Sequence, residues 1–232
     1  MNESANILME ISFDVAYLIT IWIINFLMLK NRSKVQSHQA KLAKLWRWMF
    51  LLLAIGDTGH VGFRVIAYSR GPLENSPTLV GIGALATAIT ITFFYMLFVA
   101  VWRERFNHAR NWLTWSLMAV GILRLGIMFL PGNRWESVIP PEPMGILRNI
   151  PLMVMGGAVM VMILWSAKQS QDKTYAWIGF CVFLSYLFYT PVILFVTKVP
   201  LLGILMMPKT LAYVAIALIV YFDLYKTKPK KQ

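Results

Sequence analysis

Residues 78–101 read TLVGIGALATAITITFFYMLFVAV, with no charged side chain in the run. A helix of that length rises about 36 Å, more than the ~30 Å of a bilayer's hydrocarbon core. In lipid a backbone must satisfy its own N–H and C=O groups, so such a run folds as a helix. Six more apolar runs lie at about 7–29, 48–69, 112–130, 144–166, 175–197 and 201–223. Of the 232 residues 58% are hydrophobic and 14% charged, more apolar surface than one soluble core of this size hides. The expected fold class is an all-α membrane protein, a single seven-transmembrane-helix bundle over residues 1–232. The short link at Val199-Pro200 predicts a tight antiparallel hairpin between the last two helices. Pro208 predicts a kink in the seventh helix, or its start near that residue.

The formal net charge of +12 is unevenly distributed. Lys30, Arg32, Lys34, Lys41, Lys44, Arg47, Arg103, Arg105, Arg110, Lys168, Lys173 and the tail from Lys226 fall on one side of the bundle. Only Arg70, Arg134 and Lys198 fall on the other. The positive-inside rule then predicts an external N-terminus and a cytoplasmic C-terminus, in a multi-pass protein of the cell (inner) membrane. The basic tail YKTKPKKQ is expected against anionic lipid, and no basic face with interleaved aromatics predicts nucleic-acid binding. The opening MNESANILME lacks the basic segment of a cleavable signal. Cys181 is the single cysteine, so neither a disulfide framework nor a Cys-based metal site is expected.

The second run contains AIGDTGHVGFRVIAYSRG, in which Asp57, His60 and Arg64 interrupt an apolar helix. Their i, i+3, i+7 spacing puts them on one stripe. Counting helical rise from the segment ends, the other polar positions fall in the same, outer half of the bundle. These are Asp14 on the first helix, Arg124 on the fourth, Arg148 and Asn149 on the fifth, Tyr186 and Tyr189 on the sixth, and Lys209 and Tyr213 on the seventh. Glu10 and Tyr17 share a face with Asp14, and Gly83, Thr87 and Thr90 form a weakly polar stripe on the third helix. An intramembrane charge costs about 2.5–3.5 kcal/mol on insertion scales, so these groups are expected to face inward and pair. In a sequential ring the first helix touches the second and seventh, and Asp14 or Asp57 is expected to form an ion pair with Lys209. Glu10, Asp14 and Asp57 against Arg64, Arg124, Arg148 and Lys209 leave one positive charge over, which predicts a water- or anion-filled pocket.

Each residue also has a purely structural reading. Arg64, Arg148 and Arg124 can snorkel to the headgroups. Asp57 and His60 can clasp two helices, and Lys209 can bond carbonyls freed by Pro208. Tyr186 and Tyr189 can be packing residues. None of these explains why all the charges lie in one half of the membrane.

Ceramidase- and adiponectin-receptor-type hydrolases share the helix number, but they need three His ligands; only His60 lies in the membrane, so no zinc site is expected. The "GD" at Gly56-Asp57 resembles lysoplasmalogenase-like membrane hydrolases, whose pattern expects a second intramembrane Asp; none occurs between Asp57 and Asp172. The helix count, Lys209 and YLFYTP resemble microbial rhodopsins in outline, implying retinal on Lys209 with Asp57 or Asp14 as counter-ion. The third helix lacks the carboxylate that family carries there. GDTGH…R together with PKTLAY resembles a group of uncharacterised bacterial seven-helix membrane proteins. That resemblance implies a bacterial inner membrane and no activity.

The expected function is binding or sensing of a small anionic or amphiphilic ligand, such as a lipid headgroup, in an outward-facing polar pocket. The pocket residues are Asp14, Asp57, His60, Arg64, Arg124, Arg148, Asn149, Tyr186, Tyr189, Lys209 and Tyr213. The partners are that ligand and the bilayer; no cofactor or metal is expected. The alternative is an intramembrane acid–base enzyme acting on a lipid-like substrate, with Asp57 and His60 as its catalytic pair. A transporter comes third, and a retinal photoreceptor is the remote case.

Overall fold

A computed structural model of the protein describes residues 3–138 and 141–226, with side chains from residue 8 onward. The described residues are helical and contain no strand. The helices are α1 (Glu3–Lys30), α2 (Ala40–Ser69), α3 (Pro77–Arg105), α4 (Trp112–Met128), the single turn α5 (Met144–Leu147), α6 (Ile150–Gln169), α7 (Lys173–Phe195) and α8 (Met206–Tyr221). Six helical stretches among the described residues are long and apolar enough to cross a membrane. They make the chain a multi-pass membrane protein by length and composition. The 17-residue α4 is a seventh apolar helix, about 25 Å long at the helical rise.

Local chemistry sets the helix ends. The Asn111 side chain accepts from Thr114 N while Thr114 Oγ1 accepts from Asn111 N, a capping box that starts α4. Asp172 accepts from Tyr175 N at the start of α7. Pro77 and Pro151 occupy the first turns of α3 and α6, where a missing N–H costs nothing.

Four expected boundaries are corrected. The second helix begins at Ala40, eight residues before 48, because Lys41, Lys44 and Arg47 continue the helical pattern beyond the apolar run. The fourth ends at Met128 and Pro131 opens a 3-10 turn. The expected helix 144–166 breaks at Arg148-Asn149, with Pro151 starting the longer piece. The expected helix 201–223 begins as a 3-10 turn over Pro200–Leu205, and its α-helix starts at Met206, near Pro208.

The expected sequential ring is also corrected. Helices α1, α2, α3, α6, α7 and α8 each pack on the next, and α8 closes on α1. Helix α4 lies outside this ring, in the groove between α3 and α6. Apolar side chains cover the outside of the bundle, among them Ile122, Leu123, Phe129 and Trp165, each more than half exposed. In lipid that exposure carries no hydrophobic cost.

The end of the bundle that carries the basic loops is solid. Trp46 stacks on Phe50 and meets Phe98 edge-on, and Phe94 contacts Phe50, Phe98 and Tyr213 edge-on. Three polar tips buried there have partners. Trp46 Nε1 donates to Tyr175 Oη (3.0 Å), Trp102 Nε1 donates to Ser166 Oγ (2.9 Å), and Tyr225 Oη donates to the Ala43 carbonyl (2.8 Å). Arg105 ties the ends of α3 and α7 through Asp172, at 2.7 Å.

Candidate functional site

The other end of the bundle is hollow. A cavity of about 860 Å³ runs from the loops down to Leu53, Tyr95, Tyr186 and Tyr213. All eleven residues singled out from the sequence line it: Asp14, Asp57, His60, Arg64, Arg124, Arg148, Asn149, Tyr186, Tyr189, Lys209 and Tyr213. Tyr95, Glu142 and Trp135 line it too and carry no signal that singled them out in the sequence. The Tyr95 and Tyr213 hydroxyls share a 2.7 Å hydrogen bond across the floor, and the aromatic cluster lies beneath.

Close packing of α2 on α3 builds the first wall. A Cβ at Gly56 would overlap Thr90 Oγ1 and lie 3.1 Å from the Thr87 Cα, so only glycine allows this approach. Thr87 thereby reaches Asp57, its Oγ1 donating to Oδ1 at 2.7 Å. From α1, Tyr17 Oη donates to Asp57 Oδ2 at 2.6 Å. Both carboxylate oxygens thus accept a hydroxyl hydrogen, and Asp57 joins three helices. One turn on, the buried Nδ1 of His60 has no hydrogen-bond partner among the described residues. Another turn on, Arg64 Nη2 pairs with Glu10 Oε1 at 2.5 Å and donates to Tyr68 Oη at 3.4 Å. Asp14 lines the same wall and has no hydrogen-bond or ion-pair partner among the described residues.

The rest of the lining carries three cations. Arg124 reaches in from α4 and is 2% exposed, so it does not snorkel. Its Nε donates to the Arg148 carbonyl (2.9 Å), and its Nη1 donates to the Ala88 carbonyl (2.8 Å) and to Thr92 Oγ1. Those bonds fasten α4 to α3 and to the start of α6. The guanidinium of Arg148 lies over the Trp135 ring, 4.3 Å from its centre. Lys209 Nζ lies 4.5 Å from the centre of the Tyr189 ring and 5.9 Å from that of Tyr213. Asn149 Nδ2 donates to the Gly145 carbonyl (2.8 Å) and stabilises the break between α5 and α6. Tyr186 Oη donates to the Leu152 carbonyl (2.9 Å), in space left by Gly156.

Two expectations are overturned here. Neither Asp14 nor Asp57 pairs with Lys209: among the described residues Lys209 has no carboxylate within 4.0 Å. Hydroxyl donors from α1 and α3 occupy Asp57 instead, while two aromatic faces hold the ammonium. The expected surplus of one positive charge also disappears. Glu142, on the loop before α5, lines the cavity and balances the four cations against four carboxylates. Charge in the cavity is balanced: Glu10, Asp14, Asp57 and Arg64 come from α1 and α2, and Arg124, Arg148, Lys209 and Glu142 from α4, the loop before α5, the α5–α6 break and α8.

No group of three or more His, Cys, Asp or Glu able to hold a metal ion is found among the described residues. No protein-family model, curated protein or solved structure matches the chain.

Proposed function

We propose that the chain is a seven-pass protein of a bacterial inner membrane, with its N-terminus outside and its basic tail in the cytoplasm. Its cavity then opens outward and binds or senses a small anionic or amphiphilic ligand. One observation carries this reading: Lys209 and Arg148 line a cavity of about 860 Å³ with aromatic rings, not carboxylates, against their charges. That volume lies within the ~300–1,000 Å³ of small-molecule sites. The positive-inside distribution supports the orientation, because the basic loops lie at the end opposite the cavity. The floor of Tyr95, Tyr213 and buried aromatics leaves no polar path onward, which favours a binder over a transporter or channel.

The test is retention of lysophosphatidylglycerol, a single-chain anionic lipid, by the detergent-purified protein in native mass spectrometry. Loss of a charge-assisted contact of about 1.5–3 kcal/mol weakens binding about tenfold to a hundredfold. Lys209→Gln is expected to fall in that range. Retention equal to wild type refutes the anion site.

A second reading has an observation of its own. His60 Nδ1 is unpartnered one turn from Asp57, the arrangement an intramembrane acid–base enzyme acting on a lipid-like substrate would use. Asp57→Asn separates the two readings: an enzyme loses turnover, and a binder keeps its ligand.

A further inference from the structure

The cavity holds two unlike charges that do not meet. Asp14 on α1 and Lys209 on α8 line the same space, and these two helices are neighbours in the ring. Among the described residues neither has an ion-pair partner within 4.0 Å, and they are not partners of each other. Unlike charges held apart in one cavity are complementary to a molecule that carries both signs. We propose that the cavity takes a zwitterion, its ammonium at Asp14 and its phosphate or carboxylate at Lys209 and Arg148.

This inference rests on the cavity being a ligand site and adds the second charge of the ligand. A purely anionic ligand would bring like charge towards Asp14, a repulsive contact. A zwitterion satisfies both walls and leaves the balanced charge of the lining unchanged. The hairpin of α7 and α8 supplies an apolar side through Val192, Val196, Leu201 and Ile204, and Leu201 is 78% exposed. An alkyl chain would lie along that side, so a zwitterionic lipid and a free zwitterion share the polar chemistry and differ in the use of the hairpin.

The experiment compares three probes on the wild-type protein: lysophosphatidylethanolamine, lysophosphatidylglycerol of the same acyl chain, and free phosphoethanolamine. Dissociation constants are measured by microscale thermophoresis in one neutral detergent. The ethanolamine lipid is expected to bind at least about tenfold tighter than the glycerol lipid, and Asp14→Asn is expected to remove that preference. Equal binding of the two lysolipids overturns the zwitterion and leaves the anion site standing. A preference that survives Asp14→Asn overturns the assignment of the ammonium to Asp14. If none of the three probes binds, both the inference and the ligand site beneath it fail. Phosphoethanolamine binding as tightly as its lysolipid makes the ligand a free zwitterion; binding at least tenfold weaker makes it a lipid.

Discussion

Tyr17 on α1 donates a 2.6 Å hydrogen bond to Oδ2 of Asp57 on α2, while Oδ1 of the same carboxylate accepts from Thr87 on α3. Three helices meet at one half-buried acid. Hydrophobic burial does not drive helix association in lipid, so such contacts contribute disproportionately to which helices adjoin.

Tyr17→Phe should therefore destabilise the bundle by about 1.5–3 kcal/mol, the range for hydrogen bonds to charged groups. Thr87→Val should cost a similar amount. The two should not add, because they share one carboxylate. Unfolding in detergent, followed for both singles and the double, measures this. Costs below about 0.5 kcal/mol for each single would mean that Asp57 is solvated rather than clasped.

Two glycines one helical stripe apart should behave oppositely. A Cβ at Gly56 runs into Thr90, whereas a Cβ at Gly62 meets nothing within 4 Å. Gly56→Ala should cost about 1–3 kcal/mol through overpacking. Gly62→Ala should be neutral, or stabilising by up to about 1 kcal/mol through helix propensity. Thermal midpoints of the two variants in the same detergent decide the matter.

Arg124 holds α4 to the ring by bonds to two carbonyls and a hydroxyl. Arg124→Met removes all three of those bonds at a buried site and should cost about 3 kcal/mol or more. Arg124→Lys should rescue only part, since one ammonium cannot reproduce a forked set of donors. Faster trypsin cleavage at Arg134, on the loop after α4, is the expected sign of a loosened α4.

The stripe Asp57, His60, Arg64 and the inward turn of its neighbours were legible because lipid penalises exposed charge strongly and helical spacing is fixed. The chain's long apolar runs were legible for the same reason. The placement of α4 was not. An apolar helix in lipid is apolar all round, so its pattern does not say which neighbour it touches, and only Arg124 marks its inner face. The pairing of Lys209 was not legible, because depth along two helices says nothing of rotation. The ammonium faces the Tyr189 ring on α7, not α1. Glu142 was not legible because a loop between prolines carries no periodicity from which its return to the cavity could be inferred. The break at Arg148-Asn149 was not legible because apolar residues flank it at helical spacing on both sides, although Pro151 marks where the longer helix begins.

Cysteine access to the cavity tests the central claim most directly. In a Cys181→Ser background, which removes the protein's single native thiol, Ile146→Cys places a thiol on the cavity wall. An impermeant maleimide applied to sealed vesicles of known orientation should label it from the external face only. Lysophosphatidylethanolamine should slow that labelling at least about tenfold by occupying the site. Labelling only from the cytoplasmic face, or a rate that neither lysolipid changes, would contradict an outward-facing ligand cavity.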